Sequence, residues 1–152
     1  MTRLLNIRDV QPSDFKSWSI LWDGYNAFYE RTGPTALAPE ITQTTWARFF
    51  DAAEPVHALV AEQDGALLGL AHYLFHRSTI LIGPNCYLQD LFTDETTRGK
   101  GVGRALIKAV QDEAGKIGVT NVYWMTHETN TTARRLYDRV ARRTGFIEYD
   151  LL

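Results

Sequence analysis

The spacing of apolar and polar residues changes period several times along the chain, and each change predicts an element. Residues 4–10 read as a short strand. Pro12, Ser13 and Asp14 are residue types that open helices. Phe15, Trp18, Leu21, Trp22, Tyr25, Phe28 and Tyr29 then recur at helical spacing. Gly33 and Pro34 break that run. Pro39 and Glu40 start a second helix, with Ile41, Trp46, Phe49 and Phe50 as its apolar residues. Residues 56–62 and 66–75 are strand-like. Asp64 and Gly65 between them signal a hairpin, because tight hairpin turns need positive φ. Residues 86–93 form a further strand. Val102, Ala105, Leu106, Ala109, Val110 and Ala114 mark one face of a helix that Gly118 closes. Residues 119–126, rich in branched and aromatic side chains, predict another strand. Asn130 opens a last helix carrying Ala133, Leu136, Tyr137 and Val140. Gly145 ends it, and residues 146–152 predict a final strand. The order implies an α/β protein, with a mixed sheet and helices on its faces.

The chain of 152 residues, 45% hydrophobic and 22% charged, fits one soluble domain spanning 1–152. No repeat, low-complexity tract or linker interrupts it. Cys86 is the single cysteine and reads as a buried strand residue, so no internal disulfide is expected. No apolar run approaches the roughly 20 residues of a membrane span, and the first residues lack a secretory pattern. A cytoplasmic protein with no membrane partner is the expectation. His57, His72 and His76 lie in strand-like segments without acids or cysteines at ligand spacing, so no metal site is expected.

Charge is unevenly placed. Residues 1–95 hold 12 acids and 6 bases, whereas residues 96–152 hold 6 acids and 10 bases. A basic C-terminal part suits an anionic ligand, and an acidic N-terminal part a cationic one; chance clustering of solvated charges explains the asymmetry equally simply. Arginines at 134, 135, 139, 142 and 143 raise a nucleic-acid reading. The absence of any recognised motif and the overall charge of −2 weigh against it.

Arg98, Gly99, Lys100, Gly101, Val102, Gly103 and Arg104 follow a strand and open a helix. Glycine lets backbone approach a ligand, and the first helix turn offers free N–H groups and the positive end of the dipole. Such a turn can cradle a pyrophosphate. Arg98, Lys100, Arg104 and Lys108 add positive charge with no acid among them. The chain has no G-x-x-x-x-G-K-[ST] string. Its glycines alternate where a dinucleotide fingerprint would need G-x-G-x-x-G, and position 104 is arginine. Arg98, Gly101 and Gly103 do satisfy R-x-x-G-x-G. A glycine-rich turn with basic decoration is the bland alternative.

With the preceding strand CYLQDLFTD and the downstream string THETNTTARRLYDRVARRTGF, this loop makes the chain resemble the GNAT superfamily of N-acetyltransferases. YLQDLF and LYDRVARRTGF resemble its histone and polyamine acetyltransferase branch, including spermidine/spermine N-acetyltransferase. The resemblance implies a GNAT fold, with a central mixed sheet that splays beside the glycine loop, and acetyl-CoA as cofactor. It implies direct acetyl transfer to an amine: a polyamine or other small cationic amine first, then an amino acid, then a protein lysine or N-terminus. A non-catalytic acyl-CoA sensor is the alternative. Many relatives pair as homodimers through C-terminal strands.

By the same resemblance, Leu91, Phe92 and Thr93 offer backbone groups to pantetheine. The amides of Arg98–Arg104 hold the pyrophosphate, Asn130 contacts the cofactor or caps its helix, and Arg134 and Arg135 reach toward phosphates or are solvated helix charges. Tyr137 is the general acid that protonates the leaving thiolate. Trp22, Tyr25, Phe28 and Tyr29 wall the acceptor site or fill the core; aromatic faces attract cations. The base that frees the amine remains open among Asp90, Glu128, His127 and a water held by Gln89, with a water chain relaying the proton to solvent as the simplest fallback. Polyamine-acetylating relatives carry an acid where this chain has Gln89, which cannot act as a base. Strand alternation puts Gln89 and Asp90 on opposite faces.

Overall fold

A computed structural model describes residues 4–152. Its sheet has five strands in the order β1-β2-β3-β4-β5. They are β1 (Asn6–Asp9), β2 (Val56–Gln63), β3 (Ala66–His76), β4 (Asn85–Thr93) and β5 (Val122–Tyr123). The first four are antiparallel neighbours, and β5 joins β4 in parallel. Asp64 and Gly65, with φ of 54° and 80°, make the two-residue turn between β2 and β3.

The helices are α1 (Phe15–Phe28), α2 (Pro39–Arg48), α3 (Val102–Lys116) and α4 (Thr131–Val140). Alternation along β2 and β3 gives the sheet two apolar faces. Ala58, Val60 and Leu70 meet Trp18, Leu21, Trp22 and Tyr25 of α1. Leu59, Ala61, Ala71 and Tyr73, with Cys86 and Leu88 of β4, meet Val102, Leu106, Ile107, Val110 and Ala114 of α3. Arg8 ties the start of α1 to the sheet edge. Its guanidinium donates to both oxygens of Asp14, at 2.7 and 3.0 Å, and to Glu62 at 2.5 Å.

Two departures from alternation position the site. His72 pairs with Asp90 but Tyr73 with Leu88, so Gln89 is an extra residue in β4. Such a bulge reverses the phase of a strand. Leu88 accordingly packs with the α3 face, whereas Phe92, four positions on, packs with the α1 face. The second departure is the shortness of β5. Its ladder stops at Tyr87↔Tyr123. From Leu88 onward β4 and the chain after Tyr123 diverge, and a cleft opens between them.

Three predicted elements differ. The strand expected over 119–126 keeps only Val122–Tyr123 in the sheet. The last helix ends at Val140 rather than near Gly145. Residues 146–152, expected as a strand, lie outside any helix or strand, with Phe146, Ile147, Tyr149, Leu151 and Leu152 exposed.

Candidate active site

The cleft left by the diverging strands is a groove of about 620 Å³. One wall is the free edge of β4, with Gln89, Leu91, Phe92 and Thr93. The other is the chain at 124–126 and the face of α4 that carries Leu136 and Tyr137. The N-terminal turn of α3 closes one end, and Tyr25 and Phe28 of α1, with Tyr29 just after it, close the other.

At the α3 end the backbone is arranged for an anion. Gly101 caps the helix with φ of 81°, in the left-handed region, and no side chain caps its amides. The first intrahelical bond runs from the Ala105 N–H to the Gly101 carbonyl. The amides of Val102, Gly103 and Arg104 are therefore left to a ligand. A Cβ at Gly103 would lie 3.4 Å from Leu136 and 3.8 Å from Thr93, which places this turn between β4 and α4 with little space for a longer side chain toward them. Arg98, Arg104, Arg135 and Arg139 line the same groove, and no aspartate or glutamate does. Free amides, a helix dipole and four guanidinium groups fit the pyrophosphate of coenzyme A.

Asn130 caps α4 through its side-chain carbonyl, which accepts from the Ala133 amide. Its side-chain amide donates to the Thr126 hydroxyl at 3.1 Å, and the residue also lines the groove. Tyr137 lies two turns into α4, its ring edge-on to Trp124 with centroids 5.4 Å apart. Burial, with a smaller contribution from neighbouring Tyr29, pushes its phenol up to about 12. It is thus a proton donor at neutral pH, set opposite the aromatic end of α1. The Cys86 thiol is fully buried, and burial pushes it up to about 11, so little of it is thiolate at neutral pH.

Gathered at the groove are Leu91, Phe92, Thr93, Arg98, Gly99, Gly101, Val102, Gly103, Arg104, Asn130 and Tyr137, with Tyr25, Tyr29 and Gln89 at the acceptor end. Other candidates sit elsewhere. Trp22 is a core residue that donates its indole N–H to Thr42 and stacks on Tyr25. Lys100 lies on the exposed turn, outside the lining. Arg134 donates to the Glu128 carbonyl and braces the loop before α4. His127 hydrogen-bonds Thr129 in that loop, and neither it nor Glu128 reaches the groove. Asp90 is buried behind Tyr25, against His72. Arg135, expected to reach toward phosphates, does line the groove, whereas Trp124 and Arg139 are groove residues that the sequence did not place at the site. The i, i+4 spacing of the two arginines on one helix face was the available signal. Among the described residues no group of His, Cys, Asp or Glu is placed to hold a metal ion.

Known proteins share both sequence and shape with this chain. The model of the acetyltransferase (GNAT) family matches residues 18–141. The D-amino-acid N-acetyltransferase HPA3 of Saccharomyces cerevisiae is 35% identical over 145 residues, covering 94% of this chain and 88% of its own. The uncharacterised N-acetyltransferase YhfO of Bacillus subtilis is 29% identical over 149 residues, covering 97% of each. Among solved structures, the aminoglycoside N-acetyltransferase AAC(6')-Iy in complex with CoA superimposes with a TM-score of 0.84. It does so at 17% identity, over all of this chain and 97% of that one. Splayed strands beside a glycine-capped, arginine-flanked helix are what such a chain needs to hold acetyl-CoA, and this protein belongs to the GNAT family as an acetyl-CoA-dependent N-acetyltransferase.

Proposed function

We propose that the acetyl group passes directly from acetyl-CoA to the primary amine of a free amino acid bound at the aromatic end of the groove. The observation that carries this reading is the charge of that groove. It holds no carboxylate of its own, so a polyamine with several ammonium groups would find no anion along its length. The acceptor end does have a cation nearby. The Arg31 guanidinium, outside the groove lining and donating its Nε–H to Asn26 Oδ1 at 2.7 Å, lies 5.7 Å from the centroid of the Tyr25 ring and 5.2 Å from that of Tyr29. A guanidinium suits a substrate carboxylate. The yeast relative that by its name acts on D-amino acids supports the same choice. A small cationic amine such as a polyamine is the second reading. It is supported by the single carboxylate of Asp90 behind Tyr25 and by the acidic N-terminal part.

In this reading the α3 amides and the arginines anchor the pyrophosphate, and the free edge of β4 at Leu91–Thr93 aligns pantetheine. When bound, acetyl-CoA supplies the activated acetyl group. Tyr137 holds the proton that the departing sulfur needs. The test is thiol release measured over D- and L-amino acids, spermidine, spermine and lysine peptides. Turnover of amino acids above polyamines is expected, and turnover confined to polyamines or peptides would overturn the assignment.

A cytoplasmic homodimer completes the proposal. A single buried cysteine suits a reducing compartment. The exposed apolar side chains at 146–152 suit pairing with a second copy.

A further inference from the structure

Behind the acceptor end of the groove lies a buried chain of polar groups that the transfer described above does not use. The Trp18 indole N–H donates to Nε2 of His72 at 3.0 Å, and Nδ1 of His72 lies 2.9 Å from Oδ2 of Asp90. Trp18 is fully buried, His72 is 2% exposed and Asp90 9%. An indole N–H can only donate, so Nε2 is an acceptor and the ring proton sits on Nδ1, where it is donated to Asp90. The histidine therefore presents its carboxylate partner with a hydrogen bond in one fixed tautomer, as in other oriented histidine–carboxylate pairs. Phe49 and Trp22 hold the ring in place, with centroids 4.9 and 5.1 Å away.

On its other side Asp90 faces Tyr25. Burial comes first, and then the negative charge of Asp90 and its closeness to the hydroxyl; together these push the Tyr25 phenol well above its ordinary value. Tyr25 stacks on Trp22, contacts Tyr29 and lines the groove. It thus connects the buried carboxylate to the place where the acceptor amine must sit. The β4 bulge makes the connection possible, because it turns Asp90 toward the α1 face, next to its sheet partner His72.

The geometry points to a proton relay from the acceptor ammonium through the Tyr25 hydroxyl to the Asp90 carboxylate, with His72 positioning Asp90 and Trp18 fixing the tautomer of His72. It rests on the reading of the groove as a site of amine acetylation. An ammonium has no lone pair and must lose a proton before it attacks the thioester. As one ammonium N–H bond breaks, a new O–H bond forms at Tyr25 and the proton formerly on that oxygen passes to Asp90. Tyrosine ends the step as the neutral phenol it began as, and the carboxylate becomes a carboxylic acid. The amine keeps the bonding pair as its lone pair. Asp90 returns the proton to water between turnovers. The second amine proton is lost to water as the amide forms, and Tyr137, having given its proton to sulfur, regains one from water before the next turnover.

The other titratable groups facing this pair are Tyr29 and Arg31 from the end of α1 and the turn after it, His72 from β3 and Tyr87 from β4. None is a second carboxylate. Gln89, which cannot take a proton, faces the groove from the bulge.

The experiment compares the full chain with Tyr25→Phe, Asp90→Asn, His72→Gln and His72→Phe. It uses acetyl-CoA and the amine that the wild type acetylates best, from pH 6 to an alkaline limit set by protein stability, on the order of pH 10. Tyr25→Phe and Asp90→Asn should lower kcat at neutral pH by about 100-fold. Acetyl-CoA affinity by calorimetry should stay within about twofold of wild type, the spread expected when no contact is lost. Their rates should climb with pH toward the wild-type value, as solvent takes the amine proton in place of the relay. His72→Phe should behave as a weaker version of Asp90→Asn, and His72→Gln, which keeps a donor, should recover part of the loss. A packing role alone would lower thermal stability and leave the pH profile in place. Folded Tyr25→Phe with the wild-type profile overturns the relay, whatever becomes of the more buried Asp90→Asn. A wild-type chain that acetylates no amine removes the proposed function and the relay together. An active wild type with unshifted variants removes the relay alone.

Discussion

At Tyr137 burial does two things: it holds the phenol against Trp124 in the groove wall, and it raises the phenol to about 12 so that the proton stays available. Tyr137→Phe keeps the ring and removes only that proton. It should lower kcat by about 100-fold or more while acetyl-CoA affinity barely changes, as calorimetry beside single-turnover kinetics will show. The cradle makes the opposite prediction. Gly101→Glu puts a side chain where φ is 81°, a conformation that costs about 1 kcal/mol or more without glycine, and adds negative charge beside the free amides. Gly103→Glu fills the gap against Leu136. Both should abolish acetyl-CoA binding in the calorimeter, and normal affinity in either would refute the cradle.

Elements carry a second kind of consequence. Asp14 joins the start of α1 to β1 and β2 through Arg8, and hydrogen bonding from Arg8 is the main cause that holds its carboxyl below the usual range. A group whose folded pKa is lowered binds its proton more weakly in the native state. Its stabilisation is therefore present above the unfolded value near 4 and is lost as pH falls through and below it. Asp14→Asn should cost on the order of 2 kcal/mol at neutral pH and flatten the acid limb of stability, measured by urea unfolding between pH 3 and 7. The same scale shows what could be read from the chain alone. Helical spacing in α1 and α3, the Asp64–Gly65 turn and the glycine loop depend on local sequence, and each lies where its pattern predicts. The bulge at Gln89 does not. Strict alternation would keep Leu88 and Asp90 on one face, and only pairing with β3 reveals the extra residue. Shortening of β5 is likewise invisible in 119–126. That run is β-prone throughout, yet only Val122 and Tyr123 pair with β4. Trp22 shows the same limit from another side. Its spacing fits both a groove wall and a core, and the Thr42 partner that decides for the core belongs to α2.

The whole molecule leaves its C-terminal residues uncovered. With Phe146 93% and Leu151 99% exposed, the segment has the composition of a strand but no strand partner among the described residues. Light scattering should give twice the mass of one chain, and removal of 146–152 should give the monomer; a full-length monomer would end the dimer proposal. No described helix is long and apolar enough to cross a membrane. Across the molecule, the sheet exists to hold two half-sites apart by one groove, with the anion cradle at α3 and the aromatic end at α1. The most direct test of that account titrates acetyl-CoA into the protein by calorimetry and then adds D- and L-amino acids while following thiol release. The account predicts tight one-to-one binding that Gly103→Glu abolishes, followed by turnover of amino acids. Absence of acetyl-CoA binding by the wild-type chain would contradict it.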